Sequence, residues 1–245
     1  MEQNEANPQR GIYLLPNLLT TAALFAGFYA IVAAMKGLFD TAAIAIFIAM
    51  IADGLDGRVA RMTNTQTPFG AEFDSLSDMV CFGVAPALVM YSWSLMHLGK
   101  IGWLIAFLQT AGTALRLARF NTQQAPDKRY FQGLSCTSAA GVIAGFVWIG
   151  ADYDIDGFYI SILAAALMIL IAALMISTIR YSSFKSLEFK GRVPFYTVVL
   201  FVILIAGFAM YPPEILFAVF FTYAMSGPVL TLWQLRKVKK QRLLR

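Results

Sequence analysis

The chain has 245 residues, of which 59% are hydrophobic and only 13% charged. A soluble domain carries about 25% charged residues, so this composition excludes one and points to an all-α, polytopic integral membrane bundle. At about 20 apolar residues per transmembrane helix, the length allows about eight spans with short loops and no separate soluble domain.

In chain order, residues 1–10 are polar and carry one arginine. No signal peptide is expected there, because the apolar run after Leu14 is long and lacks a small-residue cleavage site. Residues 11–17, with Pro16, read as a short interfacial lead-in to a first span at 18–35. A second span starts near Thr41, stays apolar to Ala52 and continues its helical pattern to about Met62. After a polar turn, Thr67-Pro68 is a helix-start signal: a capping hydroxyl followed by proline at the first helical position. The third span is then 69–95, with a bend expected near Gly83 and Pro86. A turn with the only histidine, His97, leads to a fourth span at 101–120. A polar loop at 121–134 precedes a short, glycine-rich fifth span at 135–149. An acidic turn (Asp152, Asp154, Asp156) separates it from the sixth span at 158–179. A basic loop at 180–192, a seventh span at 194–211, an eighth at 214–233 and a basic tail at 236–245 complete the chain. The whole reads as one membrane domain, with 11–150 carrying the motif described below and 151–235 adding helices. Cys81 and Cys136 read as buried small hydrophobes with no disulfide or metal role.

The net charge of +5 gains meaning from its distribution. Counted on alternate sides of eight spans, the N-terminus, the 58–61 turn, the 116–134 region, the 180–192 loop and the tail carry one, two, four, four and six Lys or Arg. Only Lys36 and Lys100 fall on the other side. The asymmetry predicts that both termini are cytoplasmic. The tail reads first as this topology signal and second as an attraction to anionic membrane lipids.

The same side holds four aspartates within 26 residues, Asp53, Asp56, Asp74 and Asp78. Asp53 and Asp56 are three apart, about 60° around a helix and about 4.5 Å along it. Asp74 and Asp78 are four apart, about 40° around the next helix and about 6 Å along it. The short turn between makes the helices antiparallel neighbours, so the four carboxylates are expected to converge just inside the cytoplasmic surface. Unpaired, they would repel at a depth where charge is expensive. Oxygen ligands without a Cys/His cluster favour a hard divalent cation, Mg²⁺ or Mn²⁺. Gly57, Ala60 and Gly70 leave room for a flat or bulky ligand, and Arg61 can grip a phosphate bidentately. Metal, phosphate grip and a nucleotide-sized gap are the parts of a phosphoryl-transfer site. Asp78, the deepest carboxylate, is the candidate general base. The competing readings are a helix-packing device and an ion pathway, as in a cation transporter; the apolar far halves of the second and third spans speak against transport.

The run Asp56-Gly57-x₂-Ala60-Arg61-x₈-Gly70-x₃-Asp74-x₃-Asp78 resembles the complete signature of the CDP-alcohol phosphatidyltransferases, and Asp53 matches the aspartate that usually precedes it. The resemblance implies that an alcohol attacks the lipid-side phosphate of a CDP-linked lipid and CMP leaves. It implies that Asp53, Asp56, Asp74 and Asp78 hold a divalent pair, with Asp78 also the base. Gly57, Ala60, Arg61 and Gly70 would hold the CDP moiety. Membership also implies a membrane homodimer; no nucleic-acid partner is expected.

The stretches Ser75-Leu-Ser-Asp78-Met-Val-Cys-Phe-Gly-Val-Ala-Pro86, Leu115-Arg-Leu-Ala-Arg-Phe-Asn121 and Phe131-Gln-Gly-Leu134 are similar to the phosphatidylserine synthase branch of bacteria and archaea. That similarity covers most of residues 12–140 and implies CDP-diacylglycerol and L-serine as substrates at the inner face of the cell membrane. Ser135-Cys136 departs from it, standing where that branch often has proline after Gly-Leu. Arg116 and Arg119 are candidates for a serine carboxylate or a lipid phosphate, or equally for interfacial snorkelling. Asn121 and Gln132 are weaker polar candidates. The 180–192 cations (Arg180, Lys185, Lys190, Arg192) would close over the nucleotide or serve as a topology signal. Acceptors such as glycerol 3-phosphate or an inositol derivative are the alternatives to serine, and they would want more cations near the aspartates.

Overall fold

The computed structural model describes residues 14–122, 130–182 and 210–243. Its architecture is helical. The first helix, α1 (Leu14–Met35), is already helical at the first described residue, so the expected lead-in at 14–17 belongs to the helix. Pro16 lies in its first turn, where a missing N–H costs nothing. The second helix, α2 (Phe39–Met62), packs antiparallel along α1 through a seam of alanines. Ala23, Ala26, Ala30 and Ala33 of α1 meet Ala42, Ala45 and Ala49 of α2 in the buried core. Small residues let membrane helices approach closely, which replaces the hydrophobic drive that lipid does not supply. The opposite face of α1 exposes Leu18, Phe25 and Phe28, an arrangement suited to lipid and not to water.

Thr67 caps the next helix, α3 (Pro68–Asp78), by accepting a hydrogen bond from the Gly70 N–H at 3.0 Å. The start signal in the sequence is thus the observed start. The helix continues through a widened π turn at Met79–Val84 into α4 (Ala85–Trp93). Pro86 has no N–H to return to the preceding turn, and the π turn absorbs the lost bond. Gly27 of α1 crosses this segment so closely that a Cβ would lie 2.9 Å from Cys81 Cα.

A short 3₁₀ turn at Leu95–Leu98 leads into α5 (Lys100–Thr122). Then come α6 (Cys136–Asp152), α7 (Ser161–Ile176) and α8 (Pro212–Leu243). Ser135 caps α6, accepting from the Ser138 N–H. The last helix runs past the expected end at 233, so the basic tail continues the α8 helix as far as Leu243.

The loops expected at 121–134 and 180–192 contain short strands, β1 (Tyr130–Gln132) and β2 (Arg180–Ser182), paired antiparallel. Beside the ribbon, Gly133 takes φ of 76°, and its N–H donates to Ile179 O at 2.8 Å. A Cβ there would sit 2.4 Å from Met175 O, so only glycine fits. Tyr181 anchors the ribbon to α8 by donating to Ala224 O, and burial pushes its phenol up to about 12.

Four helical stretches among the described residues are long and apolar enough to cross a membrane: Leu14–Met35, Pro68–Trp93, Lys100–Thr122 and Pro212–Thr231. This is half the number expected. At 24 residues α2 has the length, but Asp40, Asp53 and Asp56 interrupt its apolar run. The fifth and sixth expected spans appear as α6 and α7, of 17 and 16 residues. The seventh, at 194–211, lies almost wholly outside the described residues.

Candidate active site

The antiparallel turn between α2 and α3 brings the aspartates together. One carboxylate oxygen from each of Asp53, Asp56 and Asp74 lies within 4.8 Å of the others. Asp78 is outside that set, one turn further along α3. Asp56 is buried, at 4% exposure, and the other three are half-buried.

Their oxygens are not all satisfied. Thr20 of α1 donates its hydroxyl to Asp56 Oδ2 at 2.5 Å. Asp74 Oδ1 and Asp78 Oδ1 are buried without a hydrogen-bond partner among the described residues. Buried carboxylates require compensation, and orphaned oxygens beside a three-carboxylate cluster are what a cation would satisfy. The donors are all hard oxygens, so the residues fit Mg²⁺ or Mn²⁺.

Beside the cluster the surface of α2 is open. A Cβ at Gly54 would meet nothing within 4 Å, and one at Gly57 would meet only the Arg61 guanidinium at 3.5 Å. Arg61 is exposed and folds back along Gly57, while Ala60 is half-buried. Gly70 has a different reason to be glycine. A Cβ there would lie 3.2 Å from Thr67 Oγ1 and 3.3 Å from Asn17 Oδ1, so it sits between its own helix cap and α1.

The second set of candidates separates. Arg116 of α5 turns inward and donates from Nη1 to Cys136 Sγ at 3.3 Å. Arg119 donates to Ile176 O at 3.1 Å, capping the end of α7 and not the aspartates. Asn121 donates to Ser75 Oγ at 3.0 Å, next in sequence to Asp74. Gln132 lies in β1 with its side chain exposed. Lys185, Lys190 and Arg192 lie outside the described residues, as does the side chain of Arg180. His97 packs edge-on against Phe158 at the other end of the α3–α4 helix.

A family description for CDP-alcohol phosphatidyltransferases matches residues 13–179. The chain belongs to the CDP-alcohol phosphatidyltransferase family. It is therefore a membrane phosphotransferase and not a cation transporter. Among its relatives, a CDP-diacylglycerol–serine O-phosphatidyltransferase of Helicobacter pylori is 37% identical over 199 residues, covering 81% of this chain and 84% of the relative. The enzyme of the same name from Mycobacterium tuberculosis is 36% identical over 177 residues, 67% of this chain and 62% of the relative. An archaetidylserine synthase of Methanothermobacter thermautotrophicus is 37% identical over 169 residues, 68% and 69% of the two chains.

This phosphatidyltransferase has site residues that the motif did not flag. Thr20 orients Asp56, and Ser77 ties the other aspartate helix to the same turn by donating to Thr20 O at 3.3 Å. Asn17 lies beside Gly70. The available signal was Asn17 and Thr20 three residues apart, two polar groups on one face of an apolar helix. Cys136 is free and buried, as expected, but it is more than a small hydrophobe. Its sulfur stands between Arg116 and Asp78, 4.0 Å from Asp78 Oδ2.

Proposed function

We propose that this phosphatidyltransferase moves the phosphatidyl group of CDP-diacylglycerol to L-serine, releasing CMP. The convergence of Asp53, Asp56, Asp74 and Asp78 beside an open α2 surface carries the transfer chemistry. The serine acceptor is supported by the activity named for relatives at 36–37% identity.

In this reading Asp53, Asp56 and Asp74 hold the divalent ion, with Asp78 at the edge of the set. When bound, Mg²⁺ or Mn²⁺ supplies charge neutralisation for the pyrophosphate and the leaving phosphate. Arg61, lying along Gly57, binds the CDP phosphates, and Gly57 and Ala60 keep the surface of α2 low enough for the nucleotide. Gly70 contributes by letting α1 close on the start of α3. Asp78 accepts the proton from the serine hydroxyl as the serine oxygen bonds to the lipid-side phosphorus. The bond from that phosphorus to the oxygen of CMP breaks, and CMP carries the electron pair away. Arg116 faces the serine carboxylate. Arg119, committed to α7, and Asn121, committed to Ser75, shape the surrounding wall.

The membrane arrangement follows from the charge asymmetry. We place both termini and the aspartates on the cytoplasmic side of the cell membrane, in a bundle of eight spans that pairs as a homodimer. There a lipid-linked nucleotide and a soluble amino acid reach the same site.

The test is CMP release by membranes given CDP-diacylglycerol, Mn²⁺ and one labelled alcohol at a time. Serine is expected to give CMP and labelled phosphatidylserine in equal amounts. Turnover with glycerol 3-phosphate or inositol and none with serine would overturn the acceptor assignment.

A further inference from the structure

Arg116 and Asp78 come from different helices and approach the same point, yet they do not form an ion pair. Between them stands Cys136, the first residue of α6, held there by the Ser135 cap. Its sulfur accepts from Arg116 Nη1 at 3.3 Å and faces Asp78 Oδ2 at 4.0 Å. On either side of the sulfur one polar atom is left over: Arg116 Nε and Asp78 Oδ1 are both buried and without a hydrogen-bond partner among the described residues. Cys136 itself is 3% exposed, so the thiol does not face the aqueous phase.

An arginine and a carboxylate this close, in a poorly solvated place, attract strongly. Direct pairing would be bidentate, using up the guanidinium fork and both oxygens of Asp78. The base and the anion grip would cancel one another. A thiol is a weak hydrogen-bond partner that carries no charge, so it holds the guanidinium without competing with an incoming anion.

We propose that Cys136 is a positioning residue that keeps Arg116 and Asp78 apart, so that an acceptor bearing both a hydroxyl and an anionic group bridges them. The hydroxyl goes to Asp78 and the anion to the open side of Arg116. The inference rests on the functional reading above for the roles of Arg116 and Asp78, and it adds the residue that selects an anionic acceptor.

The experiment compares full-length wild-type enzyme with Cys136→Ala and Cys136→Ser, measuring kcat and KM for serine and KM for CDP-diacylglycerol. Mn²⁺ binding, followed by electron paramagnetic resonance, reports the integrity of the aspartate site. Loss of a hydrogen bond to a charged group predicts that Cys136→Ala raises KM for serine about tenfold. KM for CDP-diacylglycerol and Mn²⁺ binding are expected to stay within about twofold, and Cys136→Ser is expected to restore KM for serine, since a hydroxyl also bridges. If Cys136→Ala loses Mn²⁺ binding, Cys136→Val, which fills the space the sulfur leaves without a hydrogen-bonding atom, takes its place under the same criteria. An unchanged KM for serine with intact Mn²⁺ binding overturns the proposal, as does a Cys136→Ser enzyme no better than the alanine variant. If wild-type enzyme uses another acceptor and not serine, the acceptor assignment fails by itself. The role of Cys136 is then judged by the KM of the acceptor actually used.

Discussion

The chain carries two groups of four aspartates, about 20 Å apart along α2 if Asp40 and Asp53 mark their positions. The first is Asp53, Asp56, Asp74 and Asp78. The second is Asp40, Asp152, Asp154 and Asp156, which line a cavity of about 510 Å³ with Trp93 and Gly157. By count they are equal, and the second has the more obvious hollow. They differ in burial and in what occupies their oxygens. All four members of the second group are exposed, so water solvates them. Asp156 Oδ1 accepts from the Phe158 N–H at 2.9 Å, Asp40 Oδ1 accepts from the Thr41 hydroxyl, and Asp154 sits in a left-handed turn at φ 49°. Asp154 and Asp156 play turn-forming roles that aspartate performs anywhere, and Asp40 lies in the first turn of α2. The first group sits on helix faces, half-buried or buried, with oxygens left unpaired. Carboxylates become a site when water is denied them and the fold offers no substitute.

The largest effects should separate members within the first group. Asp74→Asn is expected to abolish both Mn²⁺ binding and turnover, because Asp74 belongs to the three-oxygen set. Asp78→Asn is expected to lower kcat by about 10²–10⁴, the usual worth of a general base, while Mn²⁺ binding to the other three aspartates changes only a few-fold. Parallel kinetics and Mn²⁺ titration of the two variants check this. Near-normal turnover in Asp78→Asn with intact metal binding would remove Asp78 as the base.

A smaller effect is expected where α1 supports the cluster from behind. Thr20 holds Asp56 Oδ2, and one Asp56 oxygen belongs to the three-carboxylate cluster. Thr20→Val keeps the shape and deletes the donor. Loss of such an outer hydrogen bond typically weakens metal binding about 10–100-fold. The Mn²⁺ titration should show that loss with little change in KM for serine, and Thr20→Ser should reverse it. Unchanged Mn²⁺ affinity in Thr20→Val would reduce α1 to a packing partner.

These residues also mark how far the sequence reading reached. The aspartates were legible because helical spacing alone puts each pair on one face, and because charge stands out in an apolar chain. The Thr67-Pro68 start and the bend near Pro86 were legible for similarly local reasons. Thr20 and Cys136 were not, since each matters through a residue 36 or 58 positions away, and no local pattern reports such a contact. Arg116 and Arg119 looked equivalent, three apart near one helix end, until tertiary packing sent one to Cys136 and the other to the end of α7. The ribbon was missed because its strands are three residues each, too short for alternation to register. Among the described residues the span count stays at four because aspartates break the apolar run of α2, α6 and α7 are only 17 and 16 residues long, and the seventh span lies almost wholly outside the described residues.

The smallest expected effect bears on the second aspartate group, and it tests the comparison from its other side. Replacing Asp152, Asp154 and Asp156 together by asparagine removes three charges and keeps side chains that tolerate the same turns. Asparagine also retains a carbonyl oxygen to accept from the Phe158 N–H. The acidic turn lies beyond α6, at the end remote from Asp74 and Asp78, and exposed charges at that range are screened within about 8–10 Å. The triple variant is therefore expected to keep kcat, both KM values and Mn²⁺ affinity within about twofold of wild type. A fall in turnover beyond that, with Mn²⁺ binding unchanged, would mean that the acidic cavity takes part in function despite its solvation. Burial and unpaired oxygens would then no longer suffice to tell the working aspartates of this enzyme from those that only turn its chain.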